Sequence, residues 1–153
     1  MSRIRVELTE EEVARVKGWA EARGGPKESW GTTMRWQKDG NYHFHGMLGE
    51  YAYAKHYNVA VDTEVTYLGD GGIDLKVLGQ TVDVKTVNYD PAILKLNSIR
   101  DFNSDMMALA LRNTDNEIYL CGFTDLRHAI QQCYSRDFGH GKRLCLDEGH
   151  LYF

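Results

Sequence analysis

Ile73-Asp74-Leu75-Lys76-Val77-Leu78-Gly79-Gln80-Thr81-Val82-Asp83-Val84-Lys85-Thr86-Val87 is the stretch that decides how the rest of the chain is read. Gly79-Gln80 marks a tight turn, so the two flanking runs are predicted to pair as a hairpin. Side chains alternate along a strand, which puts Val82 and Val84 on one face and Asp83 and Lys85 on the other. Asp74, projecting from the first strand, is expected to join them. Two carboxylates this close raise each other's proton affinity unless a cation lies between them. Hard oxygen donors of this kind suit Mg²⁺ or Mn²⁺. A lysine beside the cation can orient or deprotonate an attacking water and offset the charge that builds on a phosphate. Those residue types in that pattern point to hydrolysis of a phosphodiester.

Upstream, Thr9 followed by Glu10, Glu11 and Glu12 reads as a capped helix start. That helix is predicted to run to about Ala22, with Val13, Val16, Trp19 and Ala20 forming its packed face. The polar and aromatic residues from Lys27 to Tyr42 show no clear period. A second helix carries Met47, Leu48, Tyr51, Ala52, Ala54 and Lys55 and ends near Tyr57-Asn58. A strand is expected over Thr63 to Tyr67, before the turn Leu68-Gly69-Asp70-Gly71-Gly72. Downstream, strands are expected at Met106 to Arg112 and Glu117 to Gly122, joined at Asn113-Thr114-Asp115-Asn116. Thr124 to Ile130 is read as a helix start, and Arg143 to Phe153 as strand or irregular structure. Helix, strands and helix in that order indicate an α/β or α+β core.

The spacing D-x8-D-V-K, with Asp74, Asp83 and Lys85, resembles the signature of the PD-(D/E)XK nuclease superfamily, and Gly49-Glu50-Tyr51-Ala52 resembles the helix that supplies its further acidic residue. The resemblance spans roughly Met47 to Thr86, and the later strands and Gly139-His140-Gly141 look like the small phage and bacterial members. It implies a restriction-endonuclease-like core, a central mixed β-sheet flanked by helices. It also implies a deoxyribonuclease, endo- or exonuclease, that leaves a free 3′-hydroxyl and could act on branched or repair intermediates. By the same analogy Glu50, Asp74 and Asp83 hold metal with the Val84 carbonyl, and Lys85 handles the water. The superfamily's proline before its first acid is missing, since Ile73 precedes Asp74. The proline is not a ligand, so the departure costs the ligand set nothing.

Asp70 is a rival ligand, although its glycine turn favours a capping role, and Asp62 and Glu64 read as surface acids. His43 and His45 would share a face if they lay on a strand, a placement that permits zinc, but no third and fourth ligand is evident nearby. With Lys55, they are alternatively candidates for phosphate contact. Lys142 and Arg143, in a flexible basic loop, are further candidates for contacting nucleic acid. Trp30, Arg35 and Trp36 combine aromatics with charge, as single-strand binding surfaces do, although core packing explains the tryptophans as well.

The remaining composition is that of an ordinary globular protein. Of 153 residues 42% are hydrophobic and 26% charged, and there are two prolines, which suits one domain spanning 1–153 and argues against disorder. No window approaches the roughly 18 apolar residues of a membrane span, and the N-terminus lacks a signal-peptide core, so a cytoplasmic location, in a bacterium or a phage-infected host, is expected. Cys121, Cys133 and Cys145 are too widely spaced for a zinc ribbon or redox pair and read as reduced, half-buried thiols. The net charge of −4 argues against indiscriminate polyanion binding, but bound cations reverse the local sign of an acidic site. The expected partners are DNA and divalent metal, with a homodimer compatible with cutting both strands of a duplex. The competing classes are a non-catalytic nucleic-acid-binding module and a phage structural module on the same fold.

Overall fold

The capped helix start at Thr9 forms both halves of a capping box in the computed structural model: the Glu12 amide donates to Thr9 Oγ1 at 3.1 Å, and the Thr9 amide donates to Glu12 Oε1 at 2.9 Å. Residues 3–24, 41–61, 75–139 and 141–153 are described. In chain order the elements are β1 (Ile4–Glu7), α1 (Glu10–Gly24), α2 (Asn41–Tyr57), β2 (Leu75–Val77), β3 (Gln80–Val87), β4 (Ile93–Leu96), β5 (Met106–Thr114), β6 (Glu117–Asp125), α3 (Leu126–Gln132), β7 (Tyr134–Asp137) and β8 (Lys142–Asp147), with short 3₁₀ turns at Ile99–Asp101 and Glu148–His150.

The result is a mixed α+β fold around a curled mixed sheet. Five strands take the order β1-β6-β5-β3-β2, and β4, β8 and β7 form a second, three-stranded sheet. Within the larger sheet β3 runs parallel to β5 and the other neighbours are antiparallel. Both faces of β5 are buried. Ala108 and Ala110 meet α1 and α2 in one apolar cluster, whereas Met107, Leu109 and Leu111 meet Leu94, Leu96, Phe102, Ala129 and Leu146 in another. This explains why β5 reads as a continuous apolar run.

The packed face expected on α1 forms as Val16 and Ala20 are buried, with Val13 and Trp19 packed against the same cluster. α2 ends where expected, in a Schellman motif. Asn58 has φ 54°, its amide donates to the Lys55 carbonyl at 3.3 Å, and the Val59 amide donates to the Ala54 carbonyl at 3.0 Å. The hairpin turn also forms, but its central residues are Leu78 and Gly79, both at positive φ as a type I′ connection requires.

Several expectations need correction. α2 begins at Asn41, six residues before Met47, so His43 and His45 lie on a helix. Two residues apart there means about 200° apart, which removes the shared face on which a zinc reading depended. β5 and β6 run on to Thr114 and Asp125, leaving Asp115-Asn116 as the turn, with a register shift between Arg112 and Thr114. The cap of α3 is Asp125, whose side chain accepts from the His128 amide at 2.7 Å. Lys142 and Arg143 lie in β8, a paired strand, and not in a loop. Cys121 and Cys145 are buried, not half-buried, and none of the three cysteines is in a disulfide; burial pushes the Cys121 thiol up to about 12. The Thr63–Tyr67 strand, Trp30, Arg35, Trp36, Asp62, Glu64, Asp70, Asp74 and His140 lie outside the described residues. Among the described residues no helix is long and apolar enough to cross a membrane.

Candidate active site

Three elements position the site: α2, β3 and the β5–β6 pair beneath them. Gly49 lets α2 settle directly on β3. A Cβ at that position would stand 1.9 Å from Thr86 Oγ1 and 3.1 Å from the Ala110 side chain, so no other residue allows this approach without movement. Thr86 Oγ1 also donates to the Gly46 carbonyl at 3.4 Å. Further along α2, Tyr53 fixes the helix over the bulge between β5 and β6. Its hydroxyl contacts the carbonyls of Leu109 at 2.7 Å and Gly122 at 3.1 Å and accepts from the Gly122 amide at 3.1 Å. A bulge interrupts the ladder, and here a side chain from the helix answers the interrupted groups. Burial raises the Tyr53 hydroxyl well above its ordinary value, which keeps it a donor.

On β3, Val82 and Val84 join the apolar cluster under α1 and α2. Asp83 and Lys85 occupy the alternate positions, opposite Met107 and Leu109 of β5. Their side chains meet, with Lys85 Nζ 3.2 Å from Asp83 Oδ2. The two differ sharply in exposure: the Asp83 side chain is 6% exposed and that of Lys85 46%. The acid is held inside and the amine opens to solvent.

Glu50 follows Gly49 and so lies about 100° round the helix from the contact with Thr86. It is buried, with Oε2 screened from solvent. Val84 lies beyond the part of β3 paired with β2, which spans Gln80 to Val82. Asp74 immediately precedes β2, outside the described residues. Among the described residues no three His, Cys, Asp or Glu side chains are grouped to hold a metal ion; the expected trio includes Asp74, which is not one of them.

The other candidates are placed as follows. His45 Nδ1 lies 3.3 Å from Asn88 Nδ2, just past the end of β3, so this histidine stands at the strand that carries Asp83 and Lys85. His43 is half-buried, one turn earlier on α2 than Met47. Lys55 is engaged elsewhere: its Nζ is 2.7 Å from Glu12 Oε1 and donates to the Glu7 carbonyl at 2.8 Å, tying α2 to α1 and β1. Arg143 pairs opposite Arg136, and Lys142 opposite Asp137, across β7 and β8.

Sequence reading missed the positioning roles of Gly49, Thr86 and Tyr53. Gly49 inside a helix was the available signal, since a glycine weakens a helix and there often marks close packing; Gly46 carries the same signal, but a Cβ there would meet nothing within 4 Å.

Glu50 and Asp83 carry buried carboxylate oxygen, the donor type that a hard divalent cation prefers. Compared with protein-family models, curated proteins and solved structures, the chain matches none.

Proposed function

We propose that this chain is a metal-dependent deoxyribonuclease with a restriction-endonuclease-like core, hydrolysing DNA phosphodiester bonds at Glu50, Asp74, Asp83 and Lys85. The observation that carries the reading is the pairing on β3 of a buried Asp83 with a half-exposed Lys85 at 3.2 Å, on a strand against which α2, the helix that carries the buried Glu50, packs through Gly49. Surface salt bridges are worth little and rarely bury their acid. This pair keeps a carboxylate inside the fold and an ammonium at the surface, where a phosphate can meet it.

Glu50, Asp74, Asp83 and the Val84 carbonyl would hold Mg²⁺ or Mn²⁺, which supplies positive charge at the phosphate and eases deprotonation of water. The chain's own residues do the rest. Asp83, fixed by its burial, orients the ammonium of Lys85. Lys85, reaching toward solvent, positions the attacking water by hydrogen bonding and offsets the negative charge that develops on the phosphoryl oxygens. Departure of the 3′-oxygen leaves a 3′-hydroxyl and a 5′-phosphate.

The test is incubation of purified protein with linear, nicked, branched and single-stranded DNA, with Mg²⁺ or Mn²⁺ and in excess chelator. Cleavage that needs the metal and disappears in the Lys85→Ala protein is the expected result. Metal-independent cleavage, or none on any substrate, rejects the reading.

A further inference from the structure

The small sheet presents a face that the nuclease site does not use. In β4, Leu94 and Leu96 point into the core, so Ile93 and Lys95 point out. Register carries this face across the sheet. Lys95 and Tyr134 both pair opposite Cys145, Ile93 opposite Asp147, and Arg136 opposite Arg143, and residues paired across antiparallel strands share a face. The outward face therefore holds Lys95, Arg136 and Arg143 as its cations and Asp147 as its acid. Asp147 accepts the Tyr134 hydroxyl at 2.6 Å.

Aromatic rings hold Lys95 and Arg136 in place of carboxylates. Lys95 Nζ lies 3.9 Å from the Phe138 ring centre and 4.6 Å from that of Tyr89, and Arg136 Cζ lies 4.7 Å from Phe138. Among the described residues none of Lys95, Arg136 and Arg143 forms a salt bridge, whereas Arg3, Arg5 and Arg112 all do. Three like charges converging on one sheet face repel one another, and a cation–π contact orients a cation without cancelling its charge. All four charges register at Cys145 between them, whose thiol burial raises; Lys95, Arg136 and Arg143 oppose that rise and Asp147 adds to it. Tyr89 and Tyr134 are 42% and 37% exposed, leaving rings accessible to flat ligands.

We propose that the outward face of the β4–β8–β7 sheet holds a single strand of DNA, with Lys95, Arg136 and Arg143 on its phosphates and Tyr89 and Tyr134 beside its bases. Charge complementarity selects a polyanion, and accessible aromatic rings among the cations select unpaired bases over a closed duplex. The inference deepens the nuclease reading and rests on it for the choice of DNA. Tyr89 stands four residues past Lys85, so the strand-holding face begins where the catalytic strand ends.

The experiment reads binding without cleavage. In excess chelator, fluorescence anisotropy measures the affinity of the full chain for a labelled oligothymidylate as salt is raised. The variant Lys95→Gln/Arg136→Gln/Arg143→Gln is compared with Arg5→Gln/Arg15→Gln/Lys17→Gln, which loses equal charge on β1 and α1. Each phosphate contact contributes about 0.7 to the salt slope on single strands. The sheet triple is expected to bind at least about tenfold more weakly and to flatten the slope by about 2, while the control triple stays near wild type. Tyr134→Leu should weaken binding with the slope unchanged. Thermal melts confirm that each variant is folded. Equal losses in the two triples, tighter binding of duplex than of single strand, or no binding by the wild type would overturn the proposal. A chain that cuts DNA while its sheet triple binds normally refutes this inference alone; one that binds through the sheet and cuts nothing refutes the nuclease alone.

Discussion

The β2–β3 hairpin under α2 and the β4–β8–β7 sheet are built on opposite principles. The hairpin buries its charge. Asp83 and Glu50 are each less than 8% exposed, and the groups that position them, Gly49 and Thr86, are in close contact. The small sheet carries its charge at the surface, with Arg136 exposed and Lys95 and Arg143 half-buried, and steadies Lys95 and Arg136 with rings, at Phe138 and Tyr89. On the proposals above, buried carboxylates with an exposed lysine serve chemistry on a bound cation, and cations beside aromatics serve to hold a polyanion. The difference should then separate kcat from KM. Residues of the hairpin should act on the chemical step, and those of the small sheet on substrate capture.

The largest expected effect tests that division. Lys85→Ala should lower kcat by about 10³-fold, the scale of removing one group that stabilises developing charge. Lys95→Gln should raise KM for single-stranded substrate several-fold and spare most of kcat. Steady-state kinetics in Mg²⁺ measures both. A Lys95 variant that lost kcat as heavily as the Lys85 variant would erase the division.

The two regions also differed in how far the sequence disclosed them. Asp83 and Lys85 are two residues apart, so strand alternation alone places them together, and the turn at Leu78-Gly79 is local. Val16, Ala20 and the Asn58 helix end were legible for the same reason: period and cap chemistry act over a few residues. In the small sheet the charged face is assembled from separate strands. Lys95 meets Phe138 across 43 positions, and Arg136 faces Arg143 only because β7 and β8 pair. Four-residue strands such as Ile93–Leu96 and Tyr134–Asp137 are too short to show a period, and β7 is exposed along its length. His43 and His45 misled in the same way, because their helix begins in a stretch without hydrophobic period.

Glycines give the next comparison. Gly49→Ala should destabilise the fold by about 1–3 kcal/mol, the scale of overpacking, despite alanine's better helix propensity. Thr86→Ala in the same chain should recover part of it, because Thr86 Oγ1 is the nearest obstacle. Gly139, near the small sheet, has φ 98° with nothing within 4 Å of a built Cβ. Gly139→Ala should therefore cost about 1 kcal/mol from backbone strain alone. Denaturant melts of the four proteins decide the matter, and a Gly49→Ala cost that Thr86→Ala leaves untouched would mean α2 does not rest on β3 as described.

A smaller effect concerns metal. At a Mg²⁺ concentration tenfold above its dissociation constant the wild type should gain about 1.4 kcal/mol of stability by mass action. Asp83→Asn should gain much less, and the sheet variant Lys95→Gln should gain as much as wild type. Thermal melts across a Mg²⁺ titration at fixed ionic strength give the answer; equal shifts in wild type and Asp83→Asn would place the cation elsewhere.

Acid separates the two regions most finely, through Glu12. Burial by itself would raise this carboxyl, but Lys55 Nζ and the Thr9 amide on Oε1, with the Tyr51 hydroxyl on Oε2, hold it at about 2 against an ordinary 4.5. A carboxyl whose folded value is depressed stabilises the fold fully above its unfolded value and loses that contribution as pH falls through the folded one. The tether between α1 and α2 should therefore be intact above pH 4.5 and gone near pH 2. Glu12→Gln, which keeps the shape and loses the charge, should be less stable than wild type by about 1–2 kcal/mol at pH 7, with the difference closing across that window. The small sheet offers a contrast, because Lys95 and Arg136 lean on rings that carry no charge, so the margin between Lys95→Gln and wild type should change far less with pH than that of Glu12→Gln. Melting curves of the three proteins from neutral pH downward measure both margins. A Glu12→Gln deficit that stays constant to pH 2 would show that packing, and not the charge of Glu12, holds the two helices together.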